Sequence, residues 1–160
     1  MRATNFTGDL TYNQDDDSVF ALSFSLPVED LAVDEDEMRT RVGYEEMIDA
    51  ASVLLITEHM LAEDQVNGGN HDSIRFVGTS LVVDGANAVL TGDFTLVGQT
   101  NEVTIDLVWS QTETGVNASG TLVLLHSDYS IEPYSSSWGG DFLNDQPMTL
   151  TIEIQGAPVE

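Results

Sequence analysis

The amino-acid sequence predicts an all-β fold, an antiparallel up-and-down barrel or a sandwich of about eight strands with a short helical insert. Three observations carry this. Across residues 92–107, Phe94 and Leu96 alternate with Asp93 and Thr95, and Val103, Ile105 and Leu107 alternate with Thr104 and Asp106, around a turn containing Gly98. Alternation at period two gives a sheet one apolar and one polar face. Phe20, Leu22, Phe24 and Leu26 alternate with Ala21, Ser23 and Ser25 in the cleanest such run of the chain. The alternating runs also recur at regular spacing, separated by turn-forming stretches such as Asp84-Gly85 and Thr112-Glu113-Thr114-Gly115, which is the spacing of hairpins.

In chain order, residues 6–12 form a short strand and residues 14–18 an aspartate-rich turn. The Phe20 row follows, and Pro27, with no N–H for a ladder, ends it. From 34 to 51 the pattern Met38, Val42, Met47/Ile48, Ala51 has helical spacing, with Asp34 or Asp36 as N-cap. Residues 57–63 suggest a second short helix ending at Asn67-Gly68-Gly69. Helices inserted into such a chain would close one end of a barrel or line its mouth. Strands then resume over 73–83, 88–97, 103–109 and 118–125, and a final strand, 148–154, places Met148, Leu150, Ile152 and Ile154 on one face.

No repeat, linker or low-complexity tract divides the 160 residues, a length that buries about 70% of the unfolded surface around one core. No apolar run approaches the roughly 18 residues of a membrane helix. No apolar signal region precedes the first strand, which leaves location open. The chain has no cysteine, so disulfides, thiolate metal sites and cysteine nucleophiles are excluded. Its 28 acids face four arginines and no lysine, for a net charge of −24. That field repels nucleic-acid phosphate and anionic headgroups, which argues against nucleic-acid binding. Asp15-Asp16-Asp17 and Asp34-Glu35-Asp36-Glu37 invite a calcium reading. A solvated acidic surface is the better one, because no Asp-x-Asp-x-Asp-Gly loop ending in Glu is present.

Candidate chemistry is sparse. His59, His71 and His126 lack the spacing of a metal site. His126-Ser127-Asp128 holds the residue types of a hydrolase triad, but neighbours on a strand point to opposite faces. Arg39, Arg41 and Arg75 read as partners of nearby acids such as Glu37, Glu45 and Asp72, or as an anion clamp at a barrel mouth. With so many acids, no carboxylate pair stands out for glycoside hydrolysis. Asn5-Phe6-Thr7 and Asn117-Ala118-Ser119 match the glycosylation sequon, a pattern frequent by chance. Trp109, Trp138, Tyr129 and Tyr134 either line an apolar cavity or fill the core.

The stretch 92–107, with its Gly-x-Leu-Thr-like strand, Gly-x-Thr turn and Val-led strand, resembles the core of the YceI-like family. His126 through Ser135 is similar to that family's Ser-Asp-Phe-Gly-Ile-x-Pro segment. Residues 142–147 with the Met148 strand resemble its closing Val-x-Asp-x-Val strand. A weaker block running from Leu31 through Arg39, Gly43, Met60 and Leu61 to Ile74 and Phe76 has the order of its Arg-containing helical insert and Pro-x-Ile-x-Phe strand. Ser130 stands where glycine is usual, and Asp72-Ser73 where proline is common.

The resemblance implies a single lipocalin-like antiparallel barrel over residues 1–160, its first strand missing or shortened, and an exported location, periplasmic or secreted. It implies non-catalytic binding of a long apolar ligand, such as a polyprenyl lipid or isoprenoid quinone, with no cofactor, no metal and no stable membrane insertion. Phe20, Leu22, Phe24, Leu26, Phe76, Phe94, Leu96, Trp109 and Tyr129 are the expected wall, with Arg39 and Arg75 as headgroup contacts. An unsatisfied edge strand would favour a homodimer. The rival expectation is a solidly packed acidic barrel that serves as a protein-interaction or stress-related module through an open edge or the insert.

Overall fold

The computed structural model describes residues 1–3, 5–13, 20–67, 69–136, 142–143 and 147–157, without the side chains of Ser135, Ser136, Phe142 and Leu143. The aspartate-rich turn at 14–18 and Trp138 lie outside them. The chain runs β1 (Arg2–Ala3), β2 (Thr7–Tyr12), β3 (Phe20–Pro27), β4 (Leu31–Ala32), α1 (Asp36–Arg41) and α2 (Ala50–Met60). It continues through β5 (Ser73–Asp84), β6 (Asn87–Leu96), β7 (Gln99–Thr112), β8 (Gly115–Leu124), β9 (Ser135–Ser136), β10 (Phe142–Leu143) and β11 (Met148–Gly156). Single 3-10 turns occupy Val28–Asp30 and His126–Tyr129.

One antiparallel sheet dominates, with seven strands in the order β11-β8-β7-β6-β5-β3-β2. It curls into a half-barrel. This agrees with the expected antiparallel barrel of about eight strands: seven form the main sheet among the described residues, beside two short pairs, β1 with β4 and β9 with β10. Its edge strands, β2 and β11, are not joined to each other by a backbone ladder. The alternation seen in the sequence fixes which side is concave, since a one-residue slip would turn every apolar side chain outward. β6 shows it well: Ala88, Leu90, Gly92, Phe94 and Leu96 are buried, with more exposed residues between them. Val97 and Gly98 both take positive φ, 50° and 70°, the backbone of a two-residue hairpin turn whose twist matches its strands. A register shift between Gly78 and Ser80 lets β5 keep Phe76 and Leu81 both on the core side.

The helical insert departs from the reading of the sequence. The helical spacing over 34–51 resolves into α1, capped at Glu35 rather than Asp34 or Asp36, and an irregular segment that follows Gly43 at φ 90°. The helix placed at 57–63 begins seven residues earlier, at Ala50, because Asp49 caps it. The Ser52 hydroxyl donates to Asp49 at 2.7 Å, and the Ala51 and Ser52 amides donate at 3.0 and 3.1 Å. The Ser52 hydroxyl first, then these amides, hold the Asp49 carboxyl below the usual carboxylate range. A depressed folded value makes this stabilisation complete above the ordinary carboxylate pKa and lost as pH falls through the lowered one. Asp49→Ala should therefore raise amide exchange in the first turn of α2 several-fold at neutral pH, and acid should erase the difference from wild type. Site-resolved protection factors measure both.

Nor does α2 bury itself in a barrel mouth. None of its residues is buried, and Leu54 and Leu55 are 59% and 55% exposed. Its half-buried residues, Ser52, Val53, Ile56, Thr57 and Met60, share one face, and Leu54 and Leu55 stand on the other. The chain around it contributes more to the core: Val66, Tyr129 and Ile131 join the cluster, and the His71 ring packs over Gly98. Tyr134 hydroxyl meets His59 Nδ1 at 3.3 Å, tying the end of α2 to the chain beyond the His126–Tyr129 turn.

Candidate functional site

The concave face is a set of cross-strand rows. Gly8, Phe24, Phe76, Phe94 and Asn101 stand opposite one another across five strands, and so do Leu10, Leu22, Gly78, Gly92 and Val103. Phe24 and Phe76 stack at 5.6 Å with an interplanar angle of 19°, and Phe94 meets Tyr129 edge-on at 5.9 Å. The two glycines make room for rings. A Cβ on Gly78 would lie 2.9 Å from the tip of Phe20, and one on Gly92 would lie 2.5 Å from the tip of Phe76. At the far end, Tyr12 packs edge-on against Trp109 at 5.3 Å. The centre of the face is therefore filled by its own side chains, as narrow barrels are.

Burial is graded across the face. Phe76, Leu90, Phe94 and Ile105 on the middle strands are at most 2% exposed. Phe20, Leu22 and Phe24 on β3 and Met148, Leu150, Ile152 and Ile154 on β11 are only half-buried. These rows border the open seam between β2 and β11, where a Cβ on Gly156 would touch the Leu10 side chain at 3.2 Å. Of two depressions on the described surface, about 390 and 320 Å³, the larger lies away from the seam and the smaller includes Gln155 and Gly156 at the end of β11. The larger is on the rim near Ser25, Glu29, Asp72 and Arg75, and the smaller is beside the β7–β8 turn.

Of the wall residues read from the sequence, Phe76, Phe94, Leu96, Trp109 and Tyr129 are in the core cluster, and Phe20, Leu22 and Phe24 pack against it half-exposed. Leu26 is buried outside that cluster, as are Val28 and Val33. The arginines are elsewhere. Arg39 pairs with Asp34 at 2.8 Å, donates to the Glu46 carbonyl and lies 4.8 Å over the Tyr44 ring. Arg75 alternates with the inward Ile74 and Phe76, so it stands on the convex side between Ser25 and Thr95, donating to Ser73 Oγ at 3.1 Å. His126, Ser127 and Asp128 occupy a 3-10 turn, not a strand. Ser127 Oγ reaches only Asp128, at 3.5 Å, and among the described residues no hydrogen bond joins His126 to either. No cluster of three metal-ligating side chains occurs among the described residues. No helix is long and apolar enough to cross a membrane, a statement limited to the described residues and silent on β-barrels.

The sequence reading left out of the wall Leu10 and Tyr12 on β2, on the same bank as the β3 row, and Met148, Leu150, Ile152 and Ile154 on β11, the opposite bank. The alternation of residues 148–154 was a visible signal, but which strands become edges depends on sheet order, which is not local.

A model of the YceI-like domain matches residues 1–156. The fold is similar to the crystal structure of the Campylobacter jejuni YceI protein, with a TM-score of 0.70 and 11% identity, covering 99% of this chain and 84% of that one. A mutant of that protein solved with a monobromobimane guest gives a TM-score of 0.69 at 11% identity, with the same coverage. Burkholderia cenocepacia BcnA gives 0.69 at 11% identity, covering 97% of this chain and 86% of that one. At such identities the likeness is one of fold. No curated protein matches the sequence.

Proposed function

Since the chain belongs to the YceI-like family of generally non-catalytic binding proteins, we propose that it binds a long apolar molecule of the polyprenyl or isoprenoid-quinone type along the concave face. The supporting observation is the pair of half-buried apolar rows, Phe20, Leu22 and Phe24 on one bank and Met148, Leu150, Ile152 and Ile154 on the other, beside an unladdered seam. A chain lying between these banks would remove both from water at about 25 cal/mol per Å² of apolar surface. Such a site needs few polar contacts, consistent with the lack of any metal-ligating cluster among the described residues.

Native mass spectrometry of detergent-free protein, followed by solvent extraction and reloading with a polyprenol, tests this. The expected result is a bound apolar species that reloads after extraction. Phe24→Asp should weaken reloading by roughly tenfold or more, because it sets an unpaired carboxylate against the chain. Phe24 suits this better than Trp109, which is 5% exposed and packed on Tyr12, so that a charge there would disturb folding itself. Failure to hold or reload any apolar species would favour the packed barrel, with its edges as protein-binding surfaces.

A further inference from the structure

The helical insert carries an apolar surface that the concave face does not use. Val42, Tyr44, Met47, Leu54 and Leu55 fall within one short stretch and are each 54–65% exposed. On α2 the half-buried residues share one face, so Ala51, Leu54, Leu55 and Glu58, spaced three and four apart, form the outward one. Exposed apolar groups gathered in this way and rimmed by polar residues mark an interaction surface. The charge around them is of one sign. Glu45, Glu46, Asp49 and Glu58 are exposed in the same stretch, and residues 42–58 contain no lysine or arginine. The two arginines just before it already have acidic partners: Arg39 pairs with Asp34 at 2.8 Å, and Arg41 with Glu153 at 3.4 Å.

That charge decides what can cover the patch. A second copy of the chain would bring another net charge of −24 against the first, and like-charged surfaces oppose docking. The same field repels a bilayer of anionic headgroups. A cationic partner is instead drawn in, and its apolar side chains can then take the leucines out of water. We propose that the outward face of α2, with the 42–47 segment before it, docks a basic amphipathic segment of a partner protein. The partner's lysines or arginines would meet Glu45, Glu46 and Glu58, and its apolar face would cover Leu54 and Leu55. This surface is separate from the concave face and does not rest on the apolar-carrier reading.

The test titrates the full chain with an amphipathic helical peptide of leucine and lysine, and with its counterpart in which every lysine is glutamate. The leucine–lysine peptide should bind and the leucine–glutamate peptide should not. Leu54→Gln/Leu55→Gln leaves the net charge unchanged and should weaken binding by roughly tenfold or more. Val82→Thr/Val108→Thr removes apolar groups that are 61% and 64% exposed on the sheet and should bind as wild type does. If the leucine variant melts lower than wild type, Val42→Gln/Met47→Gln, outside α2, replaces it and should weaken binding several-fold. No binding of the leucine–lysine peptide, equal binding of the two peptides, or unchanged affinity in the insert variants would each overturn the proposal. So would self-association in sedimentation velocity, or flotation with phosphatidylcholine vesicles, that Leu54→Gln/Leu55→Gln abolishes, since either would assign the face to a second copy or to a bilayer.

Discussion

Gly92→Ala should lower the melting temperature by on the order of 10 °C, the shift expected for about 3 kcal/mol in a chain of this size. A Cβ at this position would lie 2.5 Å from the Val77 carbonyl oxygen and 2.5 Å from the tip of the Phe76 ring. A ring alone could turn aside, but neither neighbour here is free to move. The Val77 carbonyl belongs to the β5 backbone immediately before Gly78, which is registered opposite Gly92, so relief requires prying β5 from β6. Phe76 is 1% exposed and stacked on Phe24, and rotating it would disturb the aromatic row across the concave face. Overfilling a core this close is as harmful as leaving a void in it. Thermal unfolding followed by circular dichroism measures the effect. Gly69→Ala, where nothing lies within 4 Å of the added carbon, is the control that should melt with wild type. Were Gly92→Ala to do the same, the glycine pair would not be what seats the phenylalanine rings.

The strands were legible because their signal is local. Phe20 to Leu26, Phe94 to Leu96 and Val103 to Leu107 announce both their conformation and their buried side, and the register pairs them as that alternation requires. The insert was harder to place. Its helical spacing is real, but the interruption at Gly43 and the cap at Asp49 are settled by backbone geometry and by three hydrogen bonds to one carboxylate. Hydrophobic spacing alone carries neither. For the site, the buried ring positions could be named from sequence, whereas their division into a packed centre and half-open banks could not. That division follows from the sheet stopping at β2 and β11, a property of seven strands together. Arg75 shows the same limit from the other side. Its alternation with Ile74 and Phe76 places it on the polar face, while the rim depression it helps to line is made by the sheet as a whole.

A covalent bond across the seam should slow ligand exchange by roughly tenfold or more, because the seam is the weakest boundary of the sheet. Every neighbouring pair of strands in the seven-stranded sheet is registered over six or more residues. At about 1 kcal/mol net for each hydrogen bond, opening any of those ladders costs several kcal/mol. Between β2 and β11 there is no ladder to break. The banks meet where Leu10 approaches Gly156, and α1 reaches β11 through Arg41 and Glu153, 3.4 Å apart with both side chains 63% exposed. Such an exposed pair holds little against solvent. The chain has no cysteine of its own, so in Leu10→Cys/Gly156→Cys the introduced thiols can pair only with each other. Oxidation should slow both uptake and release of a polyprenol, and reduction should restore the wild-type rates; stopped-flow displacement of an apolar dye follows each step. Unchanged exchange in the oxidised protein would direct the ligand through the end covered by Val66 and Tyr129 instead. The half-buried rows on β3 and β11 would then be walls of a fixed channel rather than the banks of a gate.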